Sequence, residues 1–130
     1  MRVDVSAIKE KPGYFTVTPH GSIDSESHGE FRTKVEPILV KTTKGIVVDL
    51  QKVDYISSAG LGVLFSIKKF LMEDKNELLF CNLKPQIVRL FEIVKALPKE
   101  TIFTSLKEAD QYFYKEMNAV IDRERKEKKG

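Results

Sequence analysis

The chain has 130 residues, a length that suits one domain around one core, and its 42% apolar share argues against overall disorder. With 22 basic and 19 acidic residues the net charge is +3, too slight to point to nucleic acid, and no basic patch is interleaved with aromatics. Met1-Arg2-Val3-Asp4-Val5 holds no apolar leader and no window approaches the ~20 apolar residues of a membrane span, so a cytoplasmic domain is expected.

In chain order, Val3 to Ile8 alternates weakly and predicts a first strand. Lys11-Pro12-Gly13 is turn chemistry, and Tyr14 to Pro19 alternates again, as the second strand of a hairpin would. His20-Gly21-Ser22-Ile23-Asp24-Ser25 reads as a loop, with Asp24 and Ser25 as N-cap candidates for the helix that follows. Phe31, Val35, Ile38 and Leu39 mark the apolar side of that helix, and Pro37 kinks or ends it. Gly45 opens the β-branched run Ile46-Val47-Val48-Asp49-Leu50, which predicts a central strand. After Ser57-Ser58, a second helix carries Leu61, Leu64, Phe65, Lys68, Leu71 and Met72 at helical spacing.

Leu78-Leu79-Phe80-Cys81 predicts another buried strand. Its single cysteine cannot form an intrachain disulfide, and reads as a small buried hydrophobe in a reducing compartment. Lys84-Pro85 starts a third helix with proline in the first turn; Val88, Phe91, Ile93 and Val94 supply its apolar side, and Leu97-Pro98 breaks it. Ile102-Phe103 is a short strand. Ser105 caps a last helix with Leu106, Ala109, Phe113, Met117 and Val120 on its apolar face, and residues 122–130 form a charged, solvated tail. The pattern ββαβαβαβα predicts an α/β fold: a mixed, mostly parallel sheet of about five strands with helices packed against it.

The most informative stretch runs from Asp49 to Gly62. A strand leads through a short polar loop to Ser57-Ser58 and a small-residue helix start, Ala59-Gly60-Leu61-Gly62. Either serine can act as a plain N-cap, contributing ~1 kcal/mol. A serine here also sits on the positive end of a helix, at the carboxyl end of a strand, where sites gather in α/β sheets. Glycine costs up to ~1 kcal/mol relative to alanine in a helix, so its use at Gly60 and Gly62 suggests that another backbone, or a partner, comes close.

The run Tyr55-Ile56-Ser57-Ser58-Ala59-Gly60-Leu61-Gly62-Val63-Leu64 resembles the STAS domain, and within it the bacterial anti-sigma factor antagonists. Gly21-Ser22-Ile23-Asp24, Ile46-Val47-Val48-Asp49-Leu50 and Pro85-Gln86-Ile87-Val88-Arg89-Leu90-Phe91 match further family segments in order, over about residues 3 to 115. The resemblance implies a STAS domain over residues 1–121 and a phosphorylation switch without enzymatic activity or cofactor. The unphosphorylated antagonist binds an anti-sigma factor that is also a serine kinase of the histidine-kinase-like ATPase type. Phosphorylation ends binding, and a serine phosphatase resets it. The phosphoacceptor position falls on Ser58, and the partner surface on Ser22, Asp24, Ser25, Ser57, Ala59, Gly60, Leu61 and Gly62. Ser57 stands where many members have Asp, and Ser22 where Glu is usual, so two acidic groups are missing from that surface.

Two other readings remain open to the sequence: a STAS scaffold or accessory subunit that is never phosphorylated, of stressosome or lipid-transport type, and a small nucleotide-binding hydrolase using Asp24 and Ser58. Against the hydrolase, the chain has neither a GxxxxGK[ST] nor a GxGxxG phosphate loop, and no histidine base is identifiable for Ser58. His20 and His28 near Asp24, Glu26 and Glu30 read as scattered loop polars rather than a metal site. Asp49 reads as a strand end and Asp54 as a turn residue rather than an acid/base pair.

Overall fold

The computed structural model describes residues 1–94 and 102–103. Strands β1 (Arg2–Ala7) and β2 (Tyr14–His20) form an antiparallel hairpin. Helix α1 (His28–Val35), strand β3 (Gly45–Asp49), helix α2 (Ser58–Glu73), strand β4 (Glu77–Cys81), helix α3 (Pro85–Val94) and strand β5 (Ile102–Phe103) follow. The five strands lie in sequence order, antiparallel between β1 and β2 and parallel thereafter, which is the mixed, mostly parallel sheet that the sequence pattern predicts. The last helix expected after Ser105, the break at Leu97-Pro98 and the tail at 122–130 lie outside the described residues.

Parallel strands laid down in order, with right-handed crossovers, carry their helices on one face. Burial agrees. Ile46, Val48, Leu78 and Phe80 face one core with Phe31 and Val35 of α1, Leu64, Ile67 and Leu71 of α2, and Ile87 and Phe91 of α3. Val47, Leu79 and Cys81 point to the other face, with Ile8 and Tyr14 beside them. Every residue of β3 is buried, as a central strand with no polar face requires. Cys81 is free and buried, as expected.

Three expectations are corrected. Helix α1 starts at His28 after Ser27, and neither Asp24 nor Ser25 is its cap: Asp24 Oδ1 instead accepts from the amides of Glu26 and Ser27, closing a turn before the helix. In α2 the core face is Gly60, Leu61, Val63, Leu64, Ile67 and Leu71, so Met72, expected on the apolar side, is 59% exposed. In α3, Ile87 and Phe91 are buried and Ile93, expected on the apolar side, is 78% exposed. Pro37 acts as expected: α1 gives way to a 3-10 turn at Glu36–Ile38.

Candidate functional site

The site lies at the carboxyl ends of the parallel strands, where two loops run side by side. The loop after β2 is stitched to the loop after β3 by backbone bonds from Gly21 N to Lys52 O (2.9 Å), Ile23 N to Tyr55 O (3.0 Å) and Ser57 N to Ile23 O (2.9 Å). Ile23 and Ile56 form an isolated parallel bridge, and both side chains are buried. Alternation along this extended stretch turns the neighbours outward: Tyr55 is 57% exposed.

Gly60 explains why the loops can come so close. A Cβ there would lie 2.4 Å from the carbonyl oxygen of Ile23 and 2.9 Å from the side chains of Ile23 and Ile56. Gly62 differs, because nothing lies within 4 Å of the Cβ it lacks, and it is exposed. One glycine serves the fold and the other leaves an opening on the surface.

The serine pair divides in the same way. Ser57 is the N-cap of α2, with extended backbone at φ −82° and ψ 174°, and its hydroxyl accepts from the Gly60 amide at 3.3 Å. Ser58 is the first helical residue; it is exposed, and its hydroxyl has no hydrogen-bond partner among the described residues. The first-turn amides of a helix have no intrahelical acceptor and carry its positive end, and no acidic residue in this first turn offsets it.

The neighbouring loop is held rigidly. Ser27 Oγ donates to Ser22 O at 2.6 Å and accepts from the Asp24 amide at 3.0 Å. The amides of Ser27 and Glu26, in that order of effect, hold the Asp24 carboxyl below its ordinary value of 3.8, against a small desolvation in the other direction. Ser27 is thus a hub that the sequence reading did not single out; Asp24 closes an Asx turn onto the Glu26 amide, and Ser27, one residue further, takes the second bond. Asp54 pairs with Lys84 at the head of α3, and its backbone carbonyl accepts from Gln86 Nε2 at 3.3 Å. Asp49 is buried and held by Gln51 and Asn82, apart from Asp54's exposed ion pair, so the two form no acid/base pair.

Of the expected contact residues, Ser25, Ser58 and Gly62 are exposed, and Ser22, Asp24, Ser57 and Ala59 are half-buried beside them. Gly60 and Leu61 are buried against the core. Tyr55 joins the outward group, although the sequence marked it only as part of a motif. His20 meets Asp4 at 2.8 Å on the hairpin, and no cluster of three metal-ligating side chains exists among the described residues. No described helix is long and apolar enough to cross a membrane.

A sequence profile of the STAS domain matches residues 6–109. The chain belongs to the STAS domain family. BtrV of Bordetella bronchiseptica, named provisionally as an anti-sigma factor antagonist, is 36% identical over 73 residues, 56% of this chain and 63% of that protein. The anti-sigma-B factor antagonist of Staphylococcus aureus is 31% identical over 80 residues, 62% of this chain and 74% of that protein. The solved structure of the Bacillus anti-sigma factor antagonist SpoIIAA in its unphosphorylated form matches with a TM-score of 0.65 at 14% identity, over 95% of this chain and 98% of that one, which is a likeness of fold. The sequence relationship to the Staphylococcus protein places the chain among the anti-sigma factor antagonists, and the structural likeness shows the STAS fold.

Proposed function

We propose that this chain is a non-enzymatic partner switch. Unphosphorylated, its Ser58 surface binds an anti-sigma factor of the serine-kinase, histidine-kinase-like ATPase type in the cytoplasm, and so frees the sigma factor. The kinase transfers the γ-phosphoryl group of ATP to Ser58 Oγ; ADP leaves and the hydroxyl proton passes to the kinase. The complex then separates, and a serine phosphatase restores the hydroxyl.

The observation that carries this reading is the unequal use of the two serines. Ser57's hydroxyl is committed to the Gly60 amide, whereas Ser58's is exposed and unengaged by any described residue. The added phosphate brings roughly −1.5 to −2 charges. The helix start stabilises that charge within this domain by about 0.3–1 kcal/mol. A partner pocket that holds ATP phosphates repels it. A loss of only ~3 kcal/mol lowers affinity more than a hundredfold. No refolding is required, because the group is added to a preformed surface.

Incubation with the kinase and radiolabelled ATP tests the reading. Label is expected on the native chain and none on Ser58→Ala; label that survives Ser58→Ala would overturn the assignment.

A further inference from the structure

Helices α1, α2 and α3 pack on one face of the sheet, yet the other face is also closed. Val47, Leu79 and Cys81 point to it and are fully buried. Among the described residues Ile8 and Tyr14 pack beside them, and both are only half-buried, as the rim of a cover is. The apolar part of this face is narrow. Val47 lies beside Thr16 of β2, and Thr16 and Thr18 lie beside the exposed Ser6 and Asp4 of β1. The hairpin half is therefore polar, and the apolar half spans β3 and β4 up to β5. Three neighbouring strands cover about 10 Å, the width of one α-helix. Parallel strands are built to be covered on both faces.

We propose that residues 105–121 of this chain are the cover, docked as a single helix over Val47, Leu79 and Cys81. At 100° per residue, Leu106, Ala109, Phe113, Met117 and Val120 fall within an arc of about 80°, with Lys107, Glu108 and Lys115 on the other side. A stripe that narrow suits an apolar strip one helix wide. The route suits it too. Strand β5 ends at Phe103 beside Cys81, at the carboxyl edge of the sheet, and it is the last described strand. With no further parallel strand to reach, nothing returns the chain to the face that carries the crossover helices. A helix over residues 105–121 extends about 25 Å, enough to run back along β3 and β4, whose five residues each span about 17 Å. The charged residues 122–130 then emerge at the amino ends of the strands, away from the edge that holds Ser58. The match to the STAS profile ends at residue 109, so Phe113, Met117 and Val120 lie beyond it.

Cys81 is the single cysteine of the chain, so its labelling by N-ethylmaleimide under native conditions reads the cover directly. In the full chain it is expected to label at least about a hundredfold more slowly than in the urea-unfolded chain. Phe113→Ala and Met117→Ala are each expected to label at least about tenfold faster than the native chain, because a helix with a weakened stripe opens more often. Lys115→Ala, on the solvent side, is expected to keep the native rate. Val35→Ala weakens the core on the other face, and is expected to lower the urea midpoint without that gain in labelling, which separates general instability from release of the cover. Circular dichroism checks the fold of each variant, and if Phe113→Ala does not fold, Met117→Ala decides. Native labelling at the unfolded rate, or folded stripe variants within about twofold of the native rate, would overturn the proposal. Protection that is lost on dilution, together with a change from dimer to monomer in light scattering, would assign the cover to a second copy and overturn it as well.

Discussion

Replacing Gly60 by alanine tests the packing that holds the site together. In most helices this change is stabilising, by up to ~1 kcal/mol. Here the new methyl carbon would sit 2.4 Å from Ile23 O, where ordinary contact begins at 3.4 Å, so about 1.0 Å of movement is needed. The obstacle is backbone, not the end of a flexible side chain, and the same carbonyl accepts the Ser57 amide at 2.9 Å. Overpacking costs about 1–3 kcal/mol, and each of the two bonds that tie Ile23 to Tyr55 and Ser57 contributes about 1 kcal/mol. Set against the helix gain, the net loss is roughly 2–4 kcal/mol. With an m-value near 1.5 kcal/mol/M, the urea midpoint falls by roughly 1.3 to 2.7 M. Gly62→Ala is the matched control: with nothing within 4 Å, it keeps the helix gain and its midpoint rises by about 0.5 M. Circular dichroism during urea titration reads both. A Gly60→Ala midpoint at or above that of the native chain would refute the close-approach reasoning.

Ser57→Ala removes a cap and is expected to cost about 1 kcal/mol in urea unfolding while still accepting phosphate at Ser58; unaltered stability would show that the 3.3 Å contact to Gly60 is idle. Ser57→Asp keeps the cap, so its stability in urea unfolding stays within about 0.5 kcal/mol of native; a larger loss would show that the cap depends on the hydroxyl. Ser58→Asp is expected to weaken kinase binding without lowering the urea midpoint, and a lowered midpoint would mean that Ser58 supports the fold. The Asp24 carboxyl is held below 3.8 when folded, so its contribution is present above that value and is lost as pH falls through the lowered folded value. The urea midpoint of Asp24→Asn should therefore decline less than that of the native chain between about pH 4 and 2, and parallel curves would sink the assignment.

The sheet was legible because its strands leave little choice. The run Ile46-Val47-Val48 is β-branched on both faces, and β3 is buried on both. Helix faces were harder. In α2, Leu61, Leu64 and Leu71 are shared by two overlapping stripes, and periodicity alone also admits Phe65 and Met72. The face that contains Gly60 wins because only there can the helix approach Ile23 O, and this rotates Met72 into solvent. The start of α1 departs from the sequence expectation for a similar reason. Asp24 has the chemistry of a cap, but its carboxylate is engaged one turn early by Glu26 and Ser27. A local motif names the donor and acceptor, and the tertiary contact decides which bond forms.

The same reasoning bears on the site. The small-residue run after Ser57-Ser58 reads in sequence as one permissive segment, with two serines and two glycines of equal standing. Folding breaks that equivalence through a single contact, the carbonyl of Ile23. It accepts the Ser57 amide, fixing Ser57 at the cap, and it excludes a side chain at position 60. Helical geometry then turns Ser58 and Gly62, four residues apart, to the opposite side. A hydroxyl that is free to react and a bare stretch of helix beside it are thus by-products of one tight loop contact. A change that loosens Ile23 should therefore disturb cap, acceptor and docking surface together, whereas a change at Ser58 or Gly62 should leave the loop contact intact.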